Sequence, residues 1–186
     1  MRKILLTFAM IMMFTASTKA QMLAVNTDVA MDAITAPSLG VELVLGKKSS
    51  LNINALYGPN ILGTKAKVVA IQPEWRVYIS GRPMYHHYFG VVGLLTQYKF
   101  KLKNKWRDGD AAGIGVSYGY VLPVTPRLLF DFHTSVGGIF YHQKEYAVGD
   151  DYDAHYTNEE GYPKANAKGS IILPLRLGVS LTYILK

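Results

Sequence analysis

Ile171-Ile172-Leu173-Pro174-Leu175-Arg176-Leu177-Gly178-Val179-Ser180-Leu181-Thr182-Tyr183-Ile184-Leu185 is the stretch on which the fold turns. Every odd position is apolar: Ile171, Leu173, Leu175, Leu177, Val179, Leu181, Tyr183 and Leu185. The even positions are mostly small or polar: Ser170, Arg176, Gly178, Ser180 and Thr182. Side chains alternate between the two faces of a strand, so the stretch reads as one long strand with chemically different faces. On a helix the same leucines would be scattered around the circumference.

Outward from this segment the same period recurs. Leu39, Val41 and Leu43 alternate with Gly40 and Glu42, and Leu51, Ile53 and Ala55 with Asn52 and Asn54. Ile71, Trp75 and Val77 alternate with Gln72, Glu74 and Arg76. Ile114, Val116 and Tyr118 face away from Gly113, Gly115 and Ser117, and Phe130 and Phe132 away from Asp131, His133 and Ser135. A first strand over residues 23–30 sets Asn26 and Asp28 opposite Leu23 and Val25, and residues 85–98 are strand-like with two similar faces. That makes eight strands. Their connections alternate in length: short at 46–49, 80–83 and 123–126, long at 31–37, 58–66, 99–111 and 143–168. Short turns on one side and long loops on the other are the habit of an outer-membrane barrel with both termini in the periplasm.

The chain opens with Arg2 and Lys3, an apolar run over residues 4–16, and small residues ending at Ala20. This predicts a signal peptide over 1–20 and a single β-barrel domain over 21–186. No apolar run of eighteen residues follows, which excludes a transmembrane helix but not a barrel. The chain has no cysteine, so disulfides, thiolate metal sites and cysteine nucleophiles are excluded. Its net charge of +7 falls to +4 once Arg2, Lys3 and Lys19 leave with the leader, and no basic stripe suggests nucleic acid.

The non-apolar faces are rich in glycine, serine and alanine, whereas the outside of a soluble barrel would carry lysine and glutamate. Tyr57, Trp75, Tyr120, Phe140 and Tyr183 suit interfacial girdles. The expected fold is therefore all-β, an eight-stranded antiparallel up-and-down transmembrane β-barrel in the bacterial outer membrane. Pro73 is expected at a bulge and Pro174 near the upper rim.

On the inward face stand Asp28, Glu42, Glu74, Asp131, Arg76, Arg176 and His133. Buried charges must pair, so these predict a salt-bridge network plugging the lumen rather than a pore. Asp131, His133 and Ser135 share a face, but residues two apart on a strand are about 6–7 Å apart, too far for nucleophile and base. His86 and His87 point to opposite faces. No enzyme activity, metal or cofactor is expected. Lys99, Lys101, Lys103, Lys105 and Arg107 form a basic loop, and Glu145, Asp150, Asp151, Asp153, Glu159 and Glu160 an acidic one. The two are expected to attract one another across the mouth. Sharper readings give the basic loop lipopolysaccharide phosphates, the acidic one a surface protein or glycan, and Asp150 to Asp153 a weak resemblance to a calcium site.

Ala36-Pro37-Ser38-Leu39-Gly40-Val41-Glu42, Leu45-Gly46-Lys47-Lys48, Gln72-Pro73-Glu74-Trp75-Arg76 and residues 113–120 carry a likeness. Through them the chain resembles an uncharacterised domain-of-unknown-function family (DUF3575-like) of Bacteroidota outer-membrane β-barrel proteins. The resemblance implies an outer-membrane barrel, in some cases encoded near fimbrial genes, and no catalytic residues. Arg176, Gly178, Leu181 and Tyr183 resemble the signal read by the barrel-assembly machinery, although Ile184, Leu185 and Lys186 replace the usual aromatic ending. The expected role is structural or interactive, accessory to surface fimbriae or adhesion, with outer-membrane lipid as surroundings. The alternatives are a lipid-modifying enzyme using His133 and Ser135, and a soluble periplasmic carrier of an apolar ligand.

Overall fold

The structure, a computed structural model, describes residues 22–102, 105–147, 149 and 167–185. The expected leader and the acidic run over 150–166 lie outside these residues. Eight strands follow in order: β1 (Leu23–Asp28), β2 (Ser38–Val44), β3 (Ser49–Gly58), β4 (Lys67–Tyr78), β5 (His86–Leu102), β6 (Lys105–Pro123), β7 (Leu128–Ala147) and β8 (Ala167–Ile184). Each is antiparallel to the next, and β8 returns to β1, so the fold is all-β with its strands in a closed ring of hydrogen bonds. The register matches like faces: Leu43 stands opposite Leu51 and Glu42 opposite Asn52. A slip of one residue would carry every charged side chain to the other face.

The ring is uneven in height. β1 has 6 residues and β7 has 20. β1 reaches β8 only as far as the pair Asp28 and Ser180. From Ala167 to Val179, β7 is the only strand that pairs with β8 among the described residues. A short helix, α1 (Val29–Ala33), stands beside β8 where β1 stops. Asp28 caps it, accepting from the Ala30 and Met31 amides at 3.1 and 3.3 Å. The first strand therefore ends at Asp28, two residues earlier than its alternation suggests.

Two other expectations change. Residues 99–111 are not a loop: β5 and β6 continue as a hairpin, with Lys99 opposite Asp108 and Leu102 opposite Lys105. The bulge lies near Pro174, not at Pro73, which pairs in register with Ile53. Across β7, Ser135 faces Arg176 but Val136 faces Pro174, so Leu175 is the extra residue and turns inward beside Arg176. Proline has no N–H to give the ladder, and a bulge relieves that loss. Room for Leu175 comes from glycine: a Cβ on Gly115 would lie 2.8 Å from Leu175 Cδ1. Leu175 thus leaves the outer face to which simple alternation assigns it.

The interior is layered. A lower apolar layer joins Ala24, Tyr78, Met84, Tyr88, Val121 and Leu129. Met84 reaches it from the β4–β5 turn, which folds beneath the ring with Gly81 at φ 76° and Met84 at φ 56°. An upper apolar layer joins Ala70, Val92, Leu94 and Leu175. Polar and charged side chains fill the space between them.

Candidate functional site

Arg76 is the hub of the interior. It is 1% exposed, with Nη1 2.9 Å from Glu42 and 2.8 Å from Asp131, and Nη2 2.8 Å from Glu74. Its guanidinium also lies 4.5 Å from the Tyr88 ring centre, a cation–π contact. Even parity on β2 and β4 and odd parity on β7 turn these groups to the same inward face. Hydroxyls complete the carboxylate shells: Tyr78 donates to Glu42 at 2.7 Å, Ser50 to Glu42 at 2.5 Å and Tyr88 to Asp131 at 3.0 Å.

A second centre sits beside it. His133 Nε2 lies 2.9 Å from Asp28 Oδ2, and Arg176 bridges the two centres, 3.4 Å from Glu74 and 3.9 Å from Asp28. Asp28 thereby joins the interior charges to the cap of α1. Asn26, Asn52 and Asn54 form a neutral ladder alongside, Asn26 donating to Asn52 at 3.1 Å and Asn54 to Asn26 at 3.4 Å. Gln72 reaches across the ring and donates to the Leu175 carbonyl at 3.0 Å, satisfying an acceptor that the bulge turns inward.

All seven inward charges singled out from sequence, Asp28, Glu42, Glu74, Arg76, Asp131, His133 and Arg176, are thus within this connected set. Tyr78, Tyr88 and Ser50 were missed as members. Tyr78 shares the parity of Glu74 and Arg76, which was the available signal. The set holds four carboxylates against two guanidiniums, with an imidazole at Asp28. Ser135 donates to the Arg176 carbonyl at 3.4 Å, and His133 is held by Asp28. Gly178 shares the inward face with Arg176, whereas Leu181 and Tyr183 face out.

Above the upper apolar layer lies a cavity of about 1110 Å³, bounded by β4 to β8 and lined in part by Ala70, Ala111, Tyr141, His142 and Lys168. Higher still, β5, β6 and β7 project as a three-stranded extension. Lys99 meets Asp108 at 2.8 Å and Arg107 meets Glu145 at 3.2 Å. The hydrogen bond to Asp108 holds the Lys99 ammonium above the ordinary lysine range. Among the described residues these basic and acidic side chains pair between neighbouring strands, and the acidic run from Asp150 lies outside them. At the opposite end His87 Nδ1 lies 2.7 Å from the Tyr118 hydroxyl, and His86 stacks on Tyr85 and Tyr120. Among the described residues no group of three or more histidines, aspartates or glutamates is placed to hold a metal ion, and no helix is long and apolar enough to cross a membrane. The weak calcium resemblance at Asp150 to Asp153 lies outside the described residues.

No curated protein and no solved structure matches the chain significantly. A family model does, over residues 5–185, nearly the whole sequence. The chain that folds into this charge-filled ring belongs to the family described as protein of unknown function DUF3575.

Proposed function

We propose that the chain is a transmembrane β-barrel of the bacterial outer membrane, exported by a cleaved leader, with a structural or interaction role rather than a catalytic one. One observation carries this reading: the chain is inside out relative to a soluble protein. Arg76, Glu42 and Glu74 are 1–2% exposed, while Leu39, Ile114, Phe140 and Ile172 are 63–75% exposed. Exposed apolar residues lie on every strand from β2 to β8, a spread far wider than the scattered ones of a soluble monomer. Along β8 the belt runs from Ile172 to Tyr183. At ~3.3 Å per residue and a tilt of ~40° it is about 28 Å tall, close to the ~25 Å apolar band of such barrels. Tyr118, Phe89 and His87 at one end and Tyr57 and Phe140 at the other supply interfacial aromatics.

The sealed interior disfavours conduction, which leaves the surface to act. The β5–β6–β7 extension is the part held furthest from the belt, and its paired charges offer a rigid platform to a surface protein, glycan or lipopolysaccharide. A role accessory to fimbriae or adhesion follows from the family resemblance. The test is membrane fractionation with carbonate washing, then electrophoresis with and without boiling. The expected result is retention in the outer-membrane fraction and a mobility shift on boiling. Recovery in the soluble periplasmic fraction without a shift would overturn the reading.

A further inference from the structure

We infer that the cavity above Leu175 accepts one long alkyl chain of an amphiphile, admitted sideways through the gap between β8 and α1. The inference rests on the membrane reading above. Three independent features point to it. First, the space is built by small side chains: Ala70 and Ala111 are buried and face inward, and Gly169 lies opposite Tyr141. The floor is apolar, because Ala70 also belongs to the layer with Val92, Leu94 and Leu175, against which Ile139 packs. Pockets of this kind bury apolar ligands and use a few polar groups for orientation.

Second, the wall is incomplete beside β8. β1 stops at Asp28, opposite Ser180, and the β1-facing edge of β8 has no strand partner above that point among the described residues. Helix α1 stands there and buries none of its own side chains. Val29 on the helix and Ile172 and Leu177 on β8 are exposed around the opening. On β8 Ile172 stands at the top of the apolar belt and Leu177 at its middle, so the gap faces hydrocarbon rather than water.

Third, the inward side chains rise from the uncharged floor of Leu94 and Leu175 to the hydroxyls of Thr96 and Tyr141 higher in the cavity. An amphiphile would set its chain on Leu94 and Leu175 and its head near these hydroxyls. The shared chemistry, an alkyl chain with a polar head, fits both a free fatty acid and a chain of a bilayer lipid.

The experiment uses the full-length mature protein in phosphatidylcholine vesicles and two photoreactive probes. One is a fatty acid with a terminal diazirine, the other a phosphatidylcholine with the same chain. Cross-linked residues are mapped by mass spectrometry. Labelling of Leu94, Ile139 or Leu175 supports the inference, and Ala111→Trp should reduce it at least tenfold. Ala111→Leu, a smaller intrusion, serves if the tryptophan variant does not assemble. Inward labelling by the fatty acid alone assigns the site to a free amphiphile, and labelling by both probes assigns it to a bilayer chain. Labelling confined to the outward residues Ile71, Val136 and Ile172, in a protein that still shifts on boiling, would overturn the inference and leave the membrane reading intact. Failure to insert and to shift would overturn both.

Discussion

Replacing Arg76 by glutamine would remove the cation shared by Glu42, Glu74 and Asp131, each within 2.9 Å of the guanidinium. Breaking a buried ion pair by deleting one partner costs about 3–5 kcal/mol, because the other charge is left desolvated. Three carboxylates are stranded here, although Arg176 still reaches Glu74 at 3.4 Å. The cation–π contact with Tyr88 contributes about 1–2 kcal/mol more. The expected loss is therefore at the upper end, about 5 kcal/mol, or more than a thousandfold in the folded-to-unfolded ratio. Urea titration of vesicle-inserted protein, followed by the mobility difference between folded and unfolded forms, measures it. Arg76→Gln combined with Glu42→Gln and Asp131→Asn should recover most of the loss, because the stranded charges go with it. A single-variant loss below about 1 kcal/mol would refute the reasoning, as would a triple variant no more stable than the single one.

Leu175→Ala removes the side chain that the bulge turns inward and should cost about 2–4 kcal/mol in the same titration. Planar-bilayer conductance should stay at baseline, because the charge network and the lower apolar layer remain. Gly115→Ala places a Cβ 2.3 Å from the Val136 carbonyl oxygen. It should lower the yield of heat-modifiable protein, whereas Gly138→Ala, with nothing within 4 Å, should not. Asp108→Asn breaks the exposed pair with Lys99 and should cost no more than about 1 kcal/mol. Because that pair raises the Lys99 pKa, its small contribution is present below the ordinary lysine range and fades as pH rises through the raised value. Wild type and Asp108→Asn should therefore converge in alkaline buffer.

The strands were legible because one face meets each environment: Ile53 and Ala55 point out while Asn52 and Asn54 point in. That signal fails wherever the two faces share an environment. Over residues 99–111 a period is present, with Phe100, Leu102 and Trp106 between Lys99, Lys101, Lys105 and Arg107, but the density of charge makes a continuous hairpin read as a loop. Between Tyr85 and Tyr98 the difficulty is reversed: Tyr88, Val92 and Leu94 enter the apolar layers, so inside resembles outside. This hid Tyr88 from the charge network. The bulge was marked only by Pro174, and the compensating Gly113 and Gly115 lie some sixty residues away in sequence. Pairwise packing of that kind leaves no periodic trace. The interior charges were readable because each occupies an in-facing parity position and needs a partner in the same small space.

The ion pairs also bear on how the ring assembles. Asp28 and His133 are separated by 105 residues, and Glu74 and Arg176 by 102. Neither contact can form within a growing hairpin: one joins β1 to β7 and the other β4 to β8, so both require the sheet to curl into the ring. Loop-closure entropy is spent before such distant contacts return anything, which makes this step slow. Until the seam closes, Asp28 and Arg176 remain hydrated, and the carboxylates around Arg76 lack the enclosure that strengthens their attraction. The network therefore acts as a clasp that engages only in the complete ring. A ring lacking its β1–β8 seam gains little from it, so closure is expected to be an all-or-none event rather than the sum of eight independent pairings.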